Sequence, residues 1–227
     1  MGETLTLSFY LDILQTLERL EVPYVVIGAF AGASYGVTRT TFDVDIVVDL
    51  DESHIQALAA AYPPPRFYAD PDQMRDSIRW GILFNLIDTS EGRKVDLIPL
   101  TMKPGYEWAL RNRIRRPVPL PSGETFEAWF ARPEDVIVGK LMEQGLTVEN
   151  LDTFFLERGL EAMEAVLPEL PQLIAATLRL DLQEAEDMDW GLAAVVGLKI
   201  LLQNTGPLKN LSSLVAGATP ATRTATL

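Results

Sequence analysis

The sequence predicts an α+β fold: a mixed β-sheet flanked by helices, with a helical C-terminal region. Three observations predict it. Leu7, Tyr10, Leu11, Leu14, Leu17 and Leu20 recur at helical spacing, which marks an amphipathic helix over about residues 5–20 laid on a sheet. Short apolar, mostly β-branched and aromatic runs at Tyr24–Ile27, Asp43–Val48, Trp80–Ile87 and Lys94–Leu100 read as strands. From Leu151 to Asn204 the apolar spacing is mostly helical, broken at Pro168 and Pro171.

The first two strands carry the chemistry. Gly28 follows Tyr24-Val25-Val26-Ile27, where a backbone without a Cβ can turn sharply or approach a ligand closely. Ala29, Ala31, Gly32, Ala33 and Ser34 suit a short, tightly packed helix that Gly36 is placed to end. The polar segment Thr38-Arg39-Thr40-Thr41 then leads to the second strand, on which Asp43 and Asp45 point to one face and Val44, Ile46 and Val48 to the other. Two carboxylates so placed repel each other at neutral pH unless a cation sits between them.

A third carboxylate belongs to the same argument. Asp88 to Arg93 supply turn chemistry between the strand at Trp80–Ile87 and the strand at Lys94–Leu100, and Asp96 lies near the centre of the latter. Should that strand lie beside the Asp43 strand, Asp43, Asp45 and Asp96 converge into the oxygen-rich set preferred by Mg²⁺ or Mn²⁺.

The remaining elements form the scaffold. Ser53 is placed to cap a helix through Ile55, Leu58 and Ala61, which Pro63-Pro64-Pro65 ends. Arg66 to Arg79 is polar and irregular, a loop or short helix. Pro121-Ser122-Gly123-Glu124 reads as a turn between short strands at Val118–Leu120 and Thr125–Phe130. Pro133 suits the first turn of a helix, with Glu134 and Asp135 at its positive end. Residues 181–189 read as an exposed acidic linker or helix start, and residues 212–227 as a flexible tail poor in large apolar side chains.

Composition excludes several classes. With no cysteine there is no disulfide, thiolate metal site or cysteine nucleophile. His54 is the only histidine, which removes His-based metal sites and Ser-His-Asp catalysis. The longest apolar stretch, Gly191 to Leu202, contains Lys199 and is too short to span a bilayer. MGETLTLSFY lacks the basic start of a secretory signal, so a cytoplasmic location without membrane attachment is expected. A net charge of −13 argues against polyanionic partners. Arg111, Arg113, Arg115 and Arg116 offer a local basic surface; the alternative is that they are the solvated end of a helix whose C-terminus favours cations.

Taken together, Ile27-Gly28, Asp43-x-Asp45 and Asp96 resemble the nucleotidyltransferase superfamily that shares the DNA polymerase β palm. Arg39-Thr40-Thr41-Phe42-Asp43-Val44-Asp45 and Pro133-Glu134-Asp135-Val136-Ile137-Val138-Gly139-Lys140 bring the chain nearer to the minimal branch that includes abortive-infection and type IV toxin–antitoxin toxins. The resemblance covers roughly residues 20–142. Ala29-Phe30 stands where the family usually has a second Gly or a Ser.

The resemblance implies a nucleotidyltransferase-like catalytic domain over residues 1–145, a helical region over 146–211 and a tail over 212–227. It implies Asp43, Asp45 and Asp96 as catalytic metal ligands for Mg²⁺ or Mn²⁺, with a nucleoside triphosphate (ATP among the candidates) as substrate. Gly28, the Ala29 amide, Arg39, Thr40 and Lys140 are the expected nucleotide-binding positions, Arg39 equally suited to holding the loop by pairing with a carboxylate. The acceptor is an RNA, a protein or a small molecule, and a toxin-like role would bring a cognate antitoxin as partner. Two other readings stay open: a catalytically inactive relative that binds nucleotide or a protein partner, and an acidic interaction protein whose carboxylates serve only solubility and pairing.

Overall fold

The computed structural model describes residues 2–37, 44–103, 105–143, 145 and 170–186. Helix α1 (Gly2–Arg19) opens the chain and buries Tyr10, Ile13, Leu14 and Leu17, the one-sided stripe expected of a helix lying on a sheet. Seven strands follow: β1 (Tyr24–Ile27), β2 (Asp45–Val48), β3 (Phe67–Tyr68), β4 (Phe84–Asp88), β5 (Arg93–Pro99), β6 (Ile114–Pro119) and β7 (Thr125–Phe130). They form one sheet in the order β3-β4-β5-β2-β1-β7-β6. The β2–β5 and β1–β7 pairs are parallel and the rest antiparallel, so the sheet is mixed.

The helices are α2 (Gly28–Ala33), α3 (Glu52–Ala61), α4 (Pro71–Trp80), α5 (Tyr106–Arg111), α6 (Pro133–Glu143), α7 (Leu170–Leu178) and α8 (Leu182–Glu186), with a 3₁₀ turn at Leu100–Met102. This is the α+β architecture the sequence predicts. Consecutive residues Tyr24, Val25 and Val26 of β1 and Ile46, Val47 and Val48 of β2 are all buried, so the middle of the sheet is covered on both faces. That is why these strands read as continuous apolar runs rather than alternating ones. Leu170, Leu173 and Ile174 of α7 belong to the same hydrophobic core.

Several local expectations are corrected. The strand placed at Trp80–Ile87 begins at Phe84, because α4 runs to Trp80 and Gly81 ends it with φ 63. A Cβ at Gly81 would stand 3.0 Å from the Thr101 carbonyl oxygen, so both its conformation and its neighbour favour glycine. The stretch read as a loop or short helix contains that ten-residue α4, with Asp70 accepting from the Asp72 N–H and Pro71 in the first turn. Asp51, not Ser53, caps α3: its carboxylate accepts from the His54 N–H at 2.9 Å while His54 Nδ1 accepts from the Asp51 N–H. Ser53 instead donates to Asp51. Pro171 does not break a helix but sits in the first turn of α7. β2 starts at Asp45, and Asp43 lies outside the described residues, as do residues 146–169 and the tail.

Candidate functional site

The site is built where β1 ends and β2 begins. Ile27 and Asp45 are cross-strand partners, so the chain leaves β1 at Gly28 directly beside the Asp45 carboxylate. Gly28 has φ 65, and a Cβ there would fall 2.7 Å from Asp45 Oδ2. Glycine is therefore required twice, for its left-handed backbone and for the space the carboxylate occupies. Small residues continue through α2, where Ala31 and Gly32 are buried. Phe30 packs its ring against Phe130 and Tyr10. The side chain there serves the core.

On the other side, β2 lies parallel to β5 with Asp45 opposite Asp96. Paired residues of neighbouring strands share a face at a strand spacing of about 4.8 Å, so the two carboxylates stand side by side. Asp96 is held from two directions. Asn85, its partner on β4, donates from Nδ2 to Oδ1, and the Lys94 ammonium lies 3.1 Å from Oδ1 and 3.2 Å from Oδ2. Asp96 is 14% exposed and Lys94 47%, so the ion pair forms at the edge of the protein surface. Neither Asn85 nor Lys94 was singled out from sequence. The available signal was a polar residue inside the apolar FNLI run and a cation two residues before Asp96, on the same strand face.

Helix α6 brings a second wall. Ala131 N–H donates to the Val26 carbonyl at 2.9 Å, and Tyr35 OH donates to the Ala131 carbonyl at 2.6 Å, which fastens the start of α6 beside β1 and the end of α2. Arg132 then grips both oxygens of Asp135 at 3.0 and 3.1 Å. The result is a cavity of about 180 Å³ lined by Gly28, Asp45, Ile98, Trp108, Asp135 and Lys140 among others. Trp108 Nε1 is buried and has no hydrogen-bond partner among the described residues. A buried donor of that kind is costly to leave unmatched.

The structure thus brings Gly28, Asp45 and Lys140 to one cavity and sets Asp96 beside Asp45. Ala29 lies in the first turn of α2. Asp43, Arg39 and Thr40 lie outside the described residues. Among the described residues no group of three or more Asp, Glu, His or Cys is gathered for a metal ion. The two carboxylates present supply hard oxygen donors suited to Mg²⁺ or Mn²⁺, and the ammonium against Asp96 shows that a positive charge is accommodated there.

The arginine cluster is not the solvated end of a helix. Only Arg111 lies in α5, where it pairs with Glu107 at 2.9 Å. Arg113 and Arg115 sit over the Trp129 ring at 4.6 and 4.1 Å, and Arg115 also pairs with Glu18 of α1 at 2.7 Å. Arg116 covers the Tyr35 ring and donates to the Ser34 carbonyl. These guanidiniums tie β6 and β7 to α1 and α2 through stacking and ion pairing.

A glycine turn, a short helix, a strand-borne carboxylate beside it and another on a parallel neighbour follow one another in the chain order that the sequence resemblance implies. No protein-family model matches the chain, and no curated protein does. Solved structures similar to it include three proteins. One is an antigenic nucleotidyltransferase-like protein from Paracoccidioides brasiliensis, at 14% identity over 86% of this chain and 94% of that one, with a TM-score of 0.45. Another is JHP933 from Helicobacter pylori, at 13% identity over 96% and 98%, with a TM-score of 0.39. The third is the antibiotic-resistance factor ANT(2'')-Ia, at 11% identity over 96% and 100%, with a TM-score of 0.40. Among the described residues no helix is long and apolar enough to cross a membrane.

Proposed function

We propose that the protein is a metal-dependent nucleotidyltransferase that moves a nucleoside monophosphate from a nucleoside triphosphate to an acceptor hydroxyl. The observation that carries this reading is the pairing of Asp45 with Asp96 across parallel strands, directly beside the Gly28 turn. In this reading Asp45, Asp96 and Asp43 hold the divalent ions. Bound Mg²⁺ or Mn²⁺ would neutralise the triphosphate as the α-phosphorus is attacked.

The chain's own residues divide the remaining work. Asp96 faces the acceptor hydroxyl and takes its proton. The Gly28 and Ala29 amides approach the phosphates where no side chain intervenes. Lys140, across the cavity, adds a positive charge, and Arg39 and Thr40 contact the triphosphate from the segment ahead of β2. The Trp108 indole N–H supplies a donor to an oxygen or ring nitrogen of the bound nucleotide. The acceptor class, RNA, protein or small molecule, and a toxin-like role with a cognate antitoxin belong to the same proposal. The acidic field of the whole chain favours an acceptor that is not a polyanion.

The test is label transfer. α-Labelled ATP, GTP, CTP and UTP with Mg²⁺ are incubated with whole-cell RNA, protein and small-molecule fractions, beside Asp45→Asn and Asp96→Asn. Transfer that both substitutions abolish supports the reading; transfer that survives both overturns it. The packing of Phe30 where the family usually has a small residue favours a second reading, nucleotide binding without turnover. Metal-dependent nucleotide binding with no transfer to any fraction selects it.

A further inference from the structure

The Lys94–Asp96 pair lies beside Asp45, at the surface edge of the site. Lys94 and Asp96 are two residues apart on β5, so both side chains leave the same strand face, and the ammonium contacts both carboxylate oxygens at 3.1 and 3.2 Å. Asn85 approaches the same carboxylate from β4 and donates to Oδ1. Asp45 stands on the far side, on β2. Among the described residues the Asp96 carboxylate is thus surrounded by an amide, a neighbouring carboxylate and the Lys94 ammonium. Of these only Lys94 is close to half exposed and carried on a flexible four-carbon stem.

Two carboxylates on adjacent strands raise each other's energy, and a cation at that point relieves the repulsion. We propose that Lys94 is the resident counter-cation of Asp96, and that a divalent ion binds at Asp96 by displacing the Lys94 ammonium. This rests on the metal-site reading of Asp45 and Asp96 given above. Lys94 is then a positioning residue. It orients the Asp96 carboxylate and sets how much divalent ion is needed to load the site. Asn85 is independent of that exchange, since an amide N–H on one oxygen leaves the other lone pairs of the carboxylate for metal.

The test measures binding and stability in the full chain, without turnover. Mn²⁺ is titrated into wild type, Lys94→Met, Lys94→Arg and Asp45→Asn, with affinity read by calorimetry and melting temperature read in EDTA and in excess Mn²⁺. Lys94→Met is expected to bind Mn²⁺ roughly 3- to 10-fold more tightly, the range a partly exposed ion pair supplies as a competitor. It is also expected to melt lower than wild type in EDTA and to recover that deficit in excess Mn²⁺. Lys94→Arg, which keeps a cation but cannot hold the same point-charge geometry, is expected to fall between the two.

Equal or weaker Mn²⁺ affinity in Lys94→Met, with wild-type binding that Asp45→Asn removes, overturns the role of Lys94 and leaves the metal site standing. No Mn²⁺ binding sensitive to Asp45→Asn in either wild type or Lys94→Met overturns both readings together.

Discussion

The Asp45 carboxylate fills the space where a side chain at position 28 would begin, so that a Cβ on Gly28 would meet Oδ2 at 2.7 Å. Gly28→Ala is therefore expected to act twice. The left-handed backbone costs about 1–2 kcal/mol of stability, and the added methyl forces Asp45 away from its place beside Asp96. Denaturant unfolding should show the first effect. Metal-dependent nucleotide binding should fall by more than the stability loss explains. Unchanged binding in a folded Gly28→Ala protein would contradict the placement of Asp45 at the site.

Asp45→Asn and Asp96→Asn each remove a charge from the paired carboxylates while keeping shape. Transfer of label from an α-labelled triphosphate is expected to drop by about 10²–10³ for each, the scale set by losing one charge-stabilising group in a closed site. The double variant should be little worse than either single one, since the two act as a unit. Rate constants from single-turnover assays check this.

Trp108→Phe keeps one aromatic ring and deletes the buried N–H together with the pyrrole ring. Under the proposed function it weakens nucleotide binding by about 1 kcal/mol, or some fivefold, while the stability loss from the smaller ring is offset by removal of an unmatched buried donor. Calorimetry with each triphosphate, paired with thermal melting, reads both signs.

Asp88 gives a pH prediction. Burial pushes its carboxyl up, but hydrogen bonds from Ser90 and Arg66 outweigh burial and leave the folded-state value below the ordinary 3.8. A lowered carboxyl stabilises the fold above its unfolded value and loses that contribution as pH falls through the folded value. Asp88→Asn is expected to cost about 1–3 kcal/mol at pH 7, with the gap from wild type narrowing below about pH 4. Urea titrations at pH 7, 4 and 3 test it.

Much of the sheet and of the candidate site was legible in the residues, for identifiable reasons. The continuous apolar run at Tyr24–Ile27, and the apolar run Val95–Pro99 that only Asp96 interrupts, mark buried strands, and period-two alternation then decides which side Asp45 and Asp96 share. What stayed hidden was adjacency and local ending. Sequence supplies no rule that β5 pairs with β2 in the register Asp45 to Asp96; that comes from how the whole sheet closes. Trp80 misled because an aromatic before Gly-Ile-Leu-Phe mimics a strand start, whereas Asp70-Pro71 caps a helix that reaches it. The arginines misled because Arg113, Arg115 and Arg116 lie at and just before β6 rather than on the helix, where stacking on Trp129 and Tyr35 absorbs them.

The two outer strands of the sheet bear on how the protein behaves in a crowd. On one margin β3 is only two residues long. On the other, β6 turns the N–H groups of its even-numbered positions inward, as Leu120 does toward Glu124. Prolines at 117 and 119 delete outward donors where a visiting chain would dock. Among the described residues neither border presents a long row of backbone donors for a visiting strand, and edge-to-edge pairing of two such sheets would lack the ladder it needs.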